Sequence, residues 1–166
     1  MKKLLLSICL LSLTSCYTLK NHTIKDPLYC AIFENKTNIY GLENEFALYL
    51  PIALRKEYIY LTSSNQKKSK YKIKGIIEKY RKKTIRRDSN GIPTHQQVEI
   101  TITYQILSDN KKDKKIIKKI NNIDYRLNSG YYSITNNESE STARIKALKD
   151  LAGLIATETS IYFSGE

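Results

Sequence analysis

The run Val98-Glu99-Ile100-Thr101-Ile102-Thr103-Tyr104-Gln105-Ile106 alternates apolar and polar side chains without a break. A period of two is that of a β-strand with one wet face and one buried face. Ahead of it, Tyr71 to Tyr80 reads as a second strand with looser alternation. Between the two lies Asp88-Ser89-Asn90-Gly91, in which Gly91, with Asn90, supplies the positive φ that a chain reversal calls for. The stretch from Tyr71 to Leu107 is therefore expected to be one long antiparallel hairpin, and its apolar face needs cover.

Two amphipathic segments supply that cover. Phe46, Tyr49, Leu50, Ala53 and Leu54 recur at helical spacing after Leu42, with Glu43 and Glu45 in the first turn and Arg55 and Lys56 in the last, as the helix dipole favours. Pro51 inside this segment lacks a backbone donor and predicts a kink or a split. A second stripe of Ile145, Leu148, Ala152 and Ile155, widened by Leu151 and Leu154, predicts a helix to about Tyr162. Asn137 is its expected cap, with Glu140 as the capping-box partner.

Strands are expected at Leu28 to Phe33 and at Tyr58 to Thr62. With a helix between them they favour a parallel crossover. Another strand is expected within Ile116 to Leu127, while Glu34 to Asn38 and Asn128 to Asn136 read as loops. The predicted class is α+β: a mixed four- to five-stranded sheet with two helices packed on one face.

The N-terminus carries a different signal. Lys2 and Lys3 precede an apolar core from Leu4 to Leu13 that is too short to span a bilayer as a mature helix. Leu13-Thr14-Ser15-Cys16 resembles the bacterial lipobox. The expected organisation is a lipoprotein signal peptide over 1–15, a lipidated tether over 16–27 with diacylglycerol on the Cys16 sulfur, and a single domain over 28–166. Tyr17 after the cysteine, in place of an aspartate, suggests passage to the outer membrane. Cys9 falls in the leader and Cys16 is the lipid site. Cys30 is then left alone in an apolar run, a packed and inert thiol.

The chain has 28 Lys and Arg against 16 Asp and Glu, a formal charge of +12. Without the leader 26 cations face the same 16 acids, or +10. That sign favours phosphate-bearing partners. Two clusters concentrate it. The first is Lys79, Arg81, Lys82, Lys83, Arg86 and Arg87, in which alternation sets Lys79, Arg81 and Lys83 on one side and the arginines suit bidentate phosphate binding. The second is Lys111, Lys112, Lys114, Lys115, Lys118 and Lys119, at the opposite end of the same strand pair. A solvated sheet edge is the plainer reading of either.

No catalytic constellation is visible. His22 and His95 are the two histidines and have no metal-ligand spacing. Cys30 has no base beside it, and there is no glycine-rich phosphate loop. The expectation is a non-enzyme without metal or cofactor. A competing class is a nucleic-acid-binding sheet in which Tyr71, Tyr80 and Tyr104 stack on bases. Export by the leader argues against nucleic acid as a partner.

Taken together, the lipobox at Cys16, Ile32-Phe33-Glu34-Asn35-Lys36-Thr37 after the first strand, Gly41-Leu42-Glu43 opening the first helix, Asn90-Gly91, the alternation from Val98 to Ile106 and the Ala-containing helix from Thr142 to Ala156 resemble the LPS-assembly lipoproteins, the LptE-like family. The likeness runs through the mature chain in order and spacing. Pro51 and the basic stretch Lys111 to Lys119 depart from the pattern. The resemblance implies a mixed sheet with two helices on one face. It also implies a lipid anchor on Cys16 at the outer membrane, a place as plug and folding partner in the LPS-insertion barrel (LptD-like), and lipopolysaccharide as a ligand. The phosphate-binding candidates are then Lys79, Arg81, Lys83, Arg86 and Arg87. The alternative is a lipoprotein that faces the periplasm or the cell surface and binds another envelope component.

Overall fold

The long hairpin is the spine of the structure. In the computed structural model, which describes residues 24–57, 59–62, 69–108, 116–119 and 127–164, β4 runs Tyr71–Arg87 and β5 runs Pro93–Ser108. They pair antiparallel from Tyr71↔Ser108 to Arg87↔Pro93. The turn closes on Asp88, whose Oδ1 accepts the amides of Asn90 at 2.9 Å and Ile92 at 2.8 Å. Gly91 takes φ 79°, a conformation open to glycine at little cost.

Around the hairpin lie β1 (Ile24–Cys30), β2 (Glu34–Asn35), α1 (Leu42–Lys56), β3 (Ile59–Thr62), β6 (Ile116–Lys119), β7 (Leu127–Ser133) and α2 (Glu140–Ser164). The sheet order is β3-β1-β4-β5-β6, with β2 also on β4 and β7 also on β5. β1 and β2 follow one another along β4, both parallel to it, and β6 and β7 follow one another along β5, both antiparallel. Seven strands thus fill five rows of a mixed sheet, and β1–α1–β3 is the expected parallel crossover. The class is α+β, as the sequence predicts.

Alternation decides which face the helices cover. Val98, Ile100, Ile102, Tyr104 and Ile106 of β5 are buried, with Tyr71, Ile73 and Ile77 of β4. Leu42, Phe46, Leu50 and Leu54 of α1 pack on this face beside Ala143, Ala147, Leu148, Leu151, Ala152, Ile155 and Ala156 of α2. The helices lie parallel, as three contacts in register show. Arg144 makes a two-pronged bond to Glu45 at 2.9 and 3.0 Å. Lys149 Nζ sits 5.4 Å from the Tyr49 ring, and Thr157 reaches Glu57. Both helices descend from the middle of the hairpin to its open end: Glu140 bonds Tyr80 of β4, whereas Phe163 stacks edge-on against Tyr71 at 4.7 Å.

The phrase Phe33-Glu34-Asn35-Lys36-Thr37 has a structural task. Phe33 is buried edge-to-face on Phe46 at 5.1 Å. Gly75 makes the room, because a Cβ there would lie 2.4 Å from the Phe33 ring. Asn35 Oδ1 accepts from the Thr37 amide and hydroxyl, while its Nδ2 donates to the Ile39 carbonyl at 2.8 Å and to Glu43 at 2.7 Å. One amide thus shapes the connection from β2 into α1. The loop expected over Glu34 to Asn38 accordingly begins with two strand residues.

Three expectations are corrected. Of the kink or split expected at Pro51, the split does not occur, and α1 runs on through it: fully burying Leu50 and Leu54 on either side contributes about 1.5–3 kcal/mol each, against about 3 kcal/mol for proline within a helix. Asn128 to Ser133, expected as loop, belongs to β7. Gly130 is what lets α2 approach, since a Cβ there would stand 1.9 Å from the Ala143 carbonyl oxygen. The cap of α2 is Ser139, whose Oγ accepts the Thr142 amide at 3.2 Å, while Asn137 makes the preceding left-handed turn at φ 60°.

Candidate anion-binding face

The basic charge gathers on β4, which holds eight Lys and Arg and one Glu. Directly paired residues on neighbouring strands share a face. Lys72 pairs with Leu107, Lys74 with Gln105, Ile76 with Thr103, Lys79 with Thr101, Arg81 with Glu99, Lys83 with Gln97 and Arg86 with His95. All these partners are the odd-numbered residues of β5, opposite the buried even-numbered set. Lys72, Lys74, Lys79, Arg81, Lys83 and Arg86 therefore line one row along the helix-free face. Glu99 beside Arg81 and Glu34 beside Ile76 are acids paired on the same side.

Two register shifts, one between Ile77 and Lys79 and one between Thr84 and Arg86, set this row. Each extra residue, Glu78 and then Ile85, swaps the parity of the strand. The expected grouping of Lys79, Arg81 and Lys83 holds, and Arg86 joins it through the second shift. Lys72 and Lys74 escaped sequence reading because strict alternation sets them opposite Lys79. The one available signal was Lys79, a charged residue where the alternation of Tyr71, Ile73 and Ile77 calls for an apolar one.

The remaining candidates stand off this row. Arg87 donates to the Gly91 carbonyl at 2.7 Å and so braces the turn. Lys82 lies on the helix side, where its Nζ meets Glu140 at 3.0 Å. Glu140 also accepts the Tyr80 hydroxyl at 2.7 Å. The Tyr80 and Lys82 bonds hold the Glu140 carboxyl below its ordinary value of 4.5. Burial, then the same bond to Glu140, pushes the Tyr80 hydroxyl well above the usual phenol range. Lys111, Lys112, Lys114 and Lys115 lie outside the described residues, as do Cys16 and His22. The backbone of Lys118 and Lys119 pairs with Ile106 and Gln105, near the open end of the hairpin and away from Arg86.

Past Glu140 the hairpin overhangs the helices, and Arg81 to Lys83 and Ile85 to Ile92 are all exposed. An open cleft at its tip is lined by Arg86, Arg87, Thr94, His95, Ser133 and Asn136, among others. Arg86, His95 and Ser133 form one cross-strand line beneath it. Guanidinium, imidazole and hydroxyl groups around an exposed cleft suit an anionic, hydroxyl-rich ligand. The three tyrosines named for a nucleic-acid reading do not lie open on this face: Tyr71 and Tyr104 are buried under the helices, and Tyr80 is tied to Glu140, whereas the exposed tyrosine on it is Tyr131, paired with Gln97. Cys30 is half-buried, and burial pushes its thiol up to about 12, so it is inert at neutral pH.

No protein-family model matches the sequence, and a search of curated proteins finds no match. Solved structures do match in fold. A hypothetical protein of Chlamydia trachomatis superposes with a TM-score of 0.61 at 8% identity, over 86% of this chain and 99% of that one. Lipoprotein B of Nitrosomonas europaea gives 0.55 at 10% identity, over 84% of each chain. A protein of Caulobacter crescentus described as a lipoprotein gives 0.50 at 10% identity, over 80% of this chain and 90% of that one. At such identities the likeness is one of fold, and it is a fold found among bacterial lipoproteins.

Proposed function

We propose that this chain is a lipoprotein of the bacterial outer membrane, anchored through Cys16, that helps assemble and occupy an LPS-insertion barrel and binds lipopolysaccharide phosphates through Lys79, Arg81, Lys83, Arg86 and Arg87. The observation that carries the reading is the overhanging hairpin. Four of the five cations share its helix-free face, and the fifth stands at the turn. A sheet arm of β4 and β5, flanked by β7 as far as His95↔Ser133, extends past the helices and reaches a bulky amphiphile or the wall of a surrounding barrel without unfolding. The leader, the lipobox and the lipoproteins among the fold neighbours support the anchor.

Pull-down of the tagged mature lipoprotein from its own membranes tests the partner, with a large outer-membrane β-barrel as the expected companion. Binding of purified lipopolysaccharide to wild type and to Arg86→Ala/Arg87→Ala tests the ligand. A charge-assisted hydrogen bond contributes about 1.5–3 kcal/mol, so loss of both arginines should weaken binding at least about tenfold. Equal affinities would remove these arginines from the site. Recovery of some other envelope component without a barrel would favour the alternative lipoprotein role.

A further inference from the structure

The helix-free face has a second feature, at the end of the sheet where the chain enters. Pairing of β1 with β4 stops at Cys30↔Ile73 and resumes in β2 at Glu34↔Ile76, so three residues, 31–33, span two on β4. The irregularity turns adjacent apolar residues to opposite sides: Phe33 is 3% exposed under the helices, while Ile32 is 67% exposed. Beside Ile32 opens a notch of about 290 Å3 whose lining includes Ile76, Gly75, Lys72, Lys74 and Glu34. Lys72 Nζ lies 5.6 Å from the Tyr29 ring centroid. An exposed aliphatic side chain between two lysines is the pattern of a surface that seats apolar atoms among acyl chains and ammonium groups among phosphates.

Position selects the membrane in question. The residues 17–23 between Cys16 and Ile24 reach at most about 27 Å when fully extended. β1 enters beside Tyr71, and the tip of β4 lies about 50 Å further along at the rise of a strand residue. With Cys16 in the bilayer, the notch is therefore held within reach of the headgroups. We propose that the notch of Ile32, Ile76, Lys72 and Lys74 docks on the anionic glycerophospholipid surface that holds the anchor. The inference rests on the lipid anchor proposed above and uses none of the five hairpin cations assigned to lipopolysaccharide. The acyl chains supply the hold on the membrane, and the notch sets the attitude of the domain on it.

The chain contains no tryptophan, so one introduced Trp is an unambiguous reporter. Ile32→Trp and Leu48→Trp, the latter exposed on the helix layer, are each purified as the full mature protein. Intact mass then establishes whether Cys16 carries lipid. The proteins are reconstituted into phosphatidylglycerol/phosphatidylethanolamine vesicles, or phosphatidylcholine vesicles, that contain nitroxide lipid. The expected result is quenching and a blue shift for Ile32→Trp in the anionic vesicles, with Leu48→Trp unaffected. Adding Lys72→Ala/Lys74→Ala should reduce the docked state by about fivefold per lysine. Equal quenching at the two positions, none at position 32, or quenching indifferent to lipid charge and to the lysines would overturn the proposal. Absence of lipid by mass would sink the anchor separately. Quenching of the unlipidated protein would still support the notch, and no quenching would overturn both.

Discussion

The Tyr80 hydroxyl donates to Glu140 at 2.7 Å, and this bond fastens the middle of the longest strand to the first residue of the last helix. Lys82 Nζ joins the same carboxylate from the next residue on that side of the strand. The pair marks the point where the helix layer stops and the sheet continues, with β7 still paired to β5 as far as His95.

Replacing Glu140 by Gln should destabilise the domain at neutral pH by about 1 kcal/mol or less, since the carboxylate is partly exposed and screened. Because folding lowers this carboxyl's pKa, its contribution is full above the ordinary value of 4.5 and is lost as pH falls through the folded one. Urea midpoints of wild type and Glu140→Gln should differ at pH 7, and the gap should narrow as the pH falls below 4.5 and through the folded value. A gap that widens in acid would reverse the sign of this account.

The two faces of β5 give a sharper contrast. Ile102 is 1% exposed and Thr103 faces away from the helices. Ile102→Ala is expected to cost about 2–5 kcal/mol, and Thr103→Ala much less. Equal denaturation midpoints would contradict the register.

Two glycines should respond with opposite signs. A methyl group on Gly130 collides with the Ala143 carbonyl, so Gly130→Ala must push α2 off β7 and is expected to lower the melting temperature strongly. Gly153 sits within α2, and a Cβ there meets nothing within 4 Å. Gly153→Ala should stabilise by about 0.4–1 kcal/mol. Thermal melts of the two variants check both claims, and a stabilised Gly130→Ala would show that β7 and α2 do not pack as described.

For the proposed anchor, Cys16→Ser should leave an unlipidated precursor outside the outer-membrane fraction. Normal fractionation of this variant, with no difference in attached mass, would discard the lipidation site.

Much of the fold was legible because local periodicity and global packing agree. Val98 to Ile106 alternate in sequence and in burial, and α1 shows its buried face at Leu42, Phe46, Leu50 and Leu54. Failures came where distant residues decide. Gly130 reads as a loop residue until Ala143 is set against it. Pro51 reads as a break until the burial of Leu50 and Leu54 is counted. Ser139 and Asn137 are both good caps by type, and Glu140 chose between them by turning its carboxylate to β4 rather than back to the cap. In the candidate face, Lys79, Arg81 and Lys83 could be grouped from spacing. Lys72 and Lys74 could not, because the extra residue at Glu78 changes the parity that strict alternation carries across the strand. Lys82 was grouped with its neighbours, although its partner stands 58 residues away.

The uneven placement of charge along β4 has a kinetic consequence. The strand carries eight cations and one acid, whereas α1 has two of each sign and α2 three of each. Among the described residues the net positive charge thus lies on the sheet side, opposite an electrically balanced helix layer. Near a phosphate-bearing surface the resulting torque turns the bare sheet forward before any contact is made. The effect extends about one Debye length, roughly 8 Å at physiological salt, and raises the share of encounters that begin in a productive pose. Capture should therefore slow steeply as ionic strength rises, even where the rate of release hardly changes.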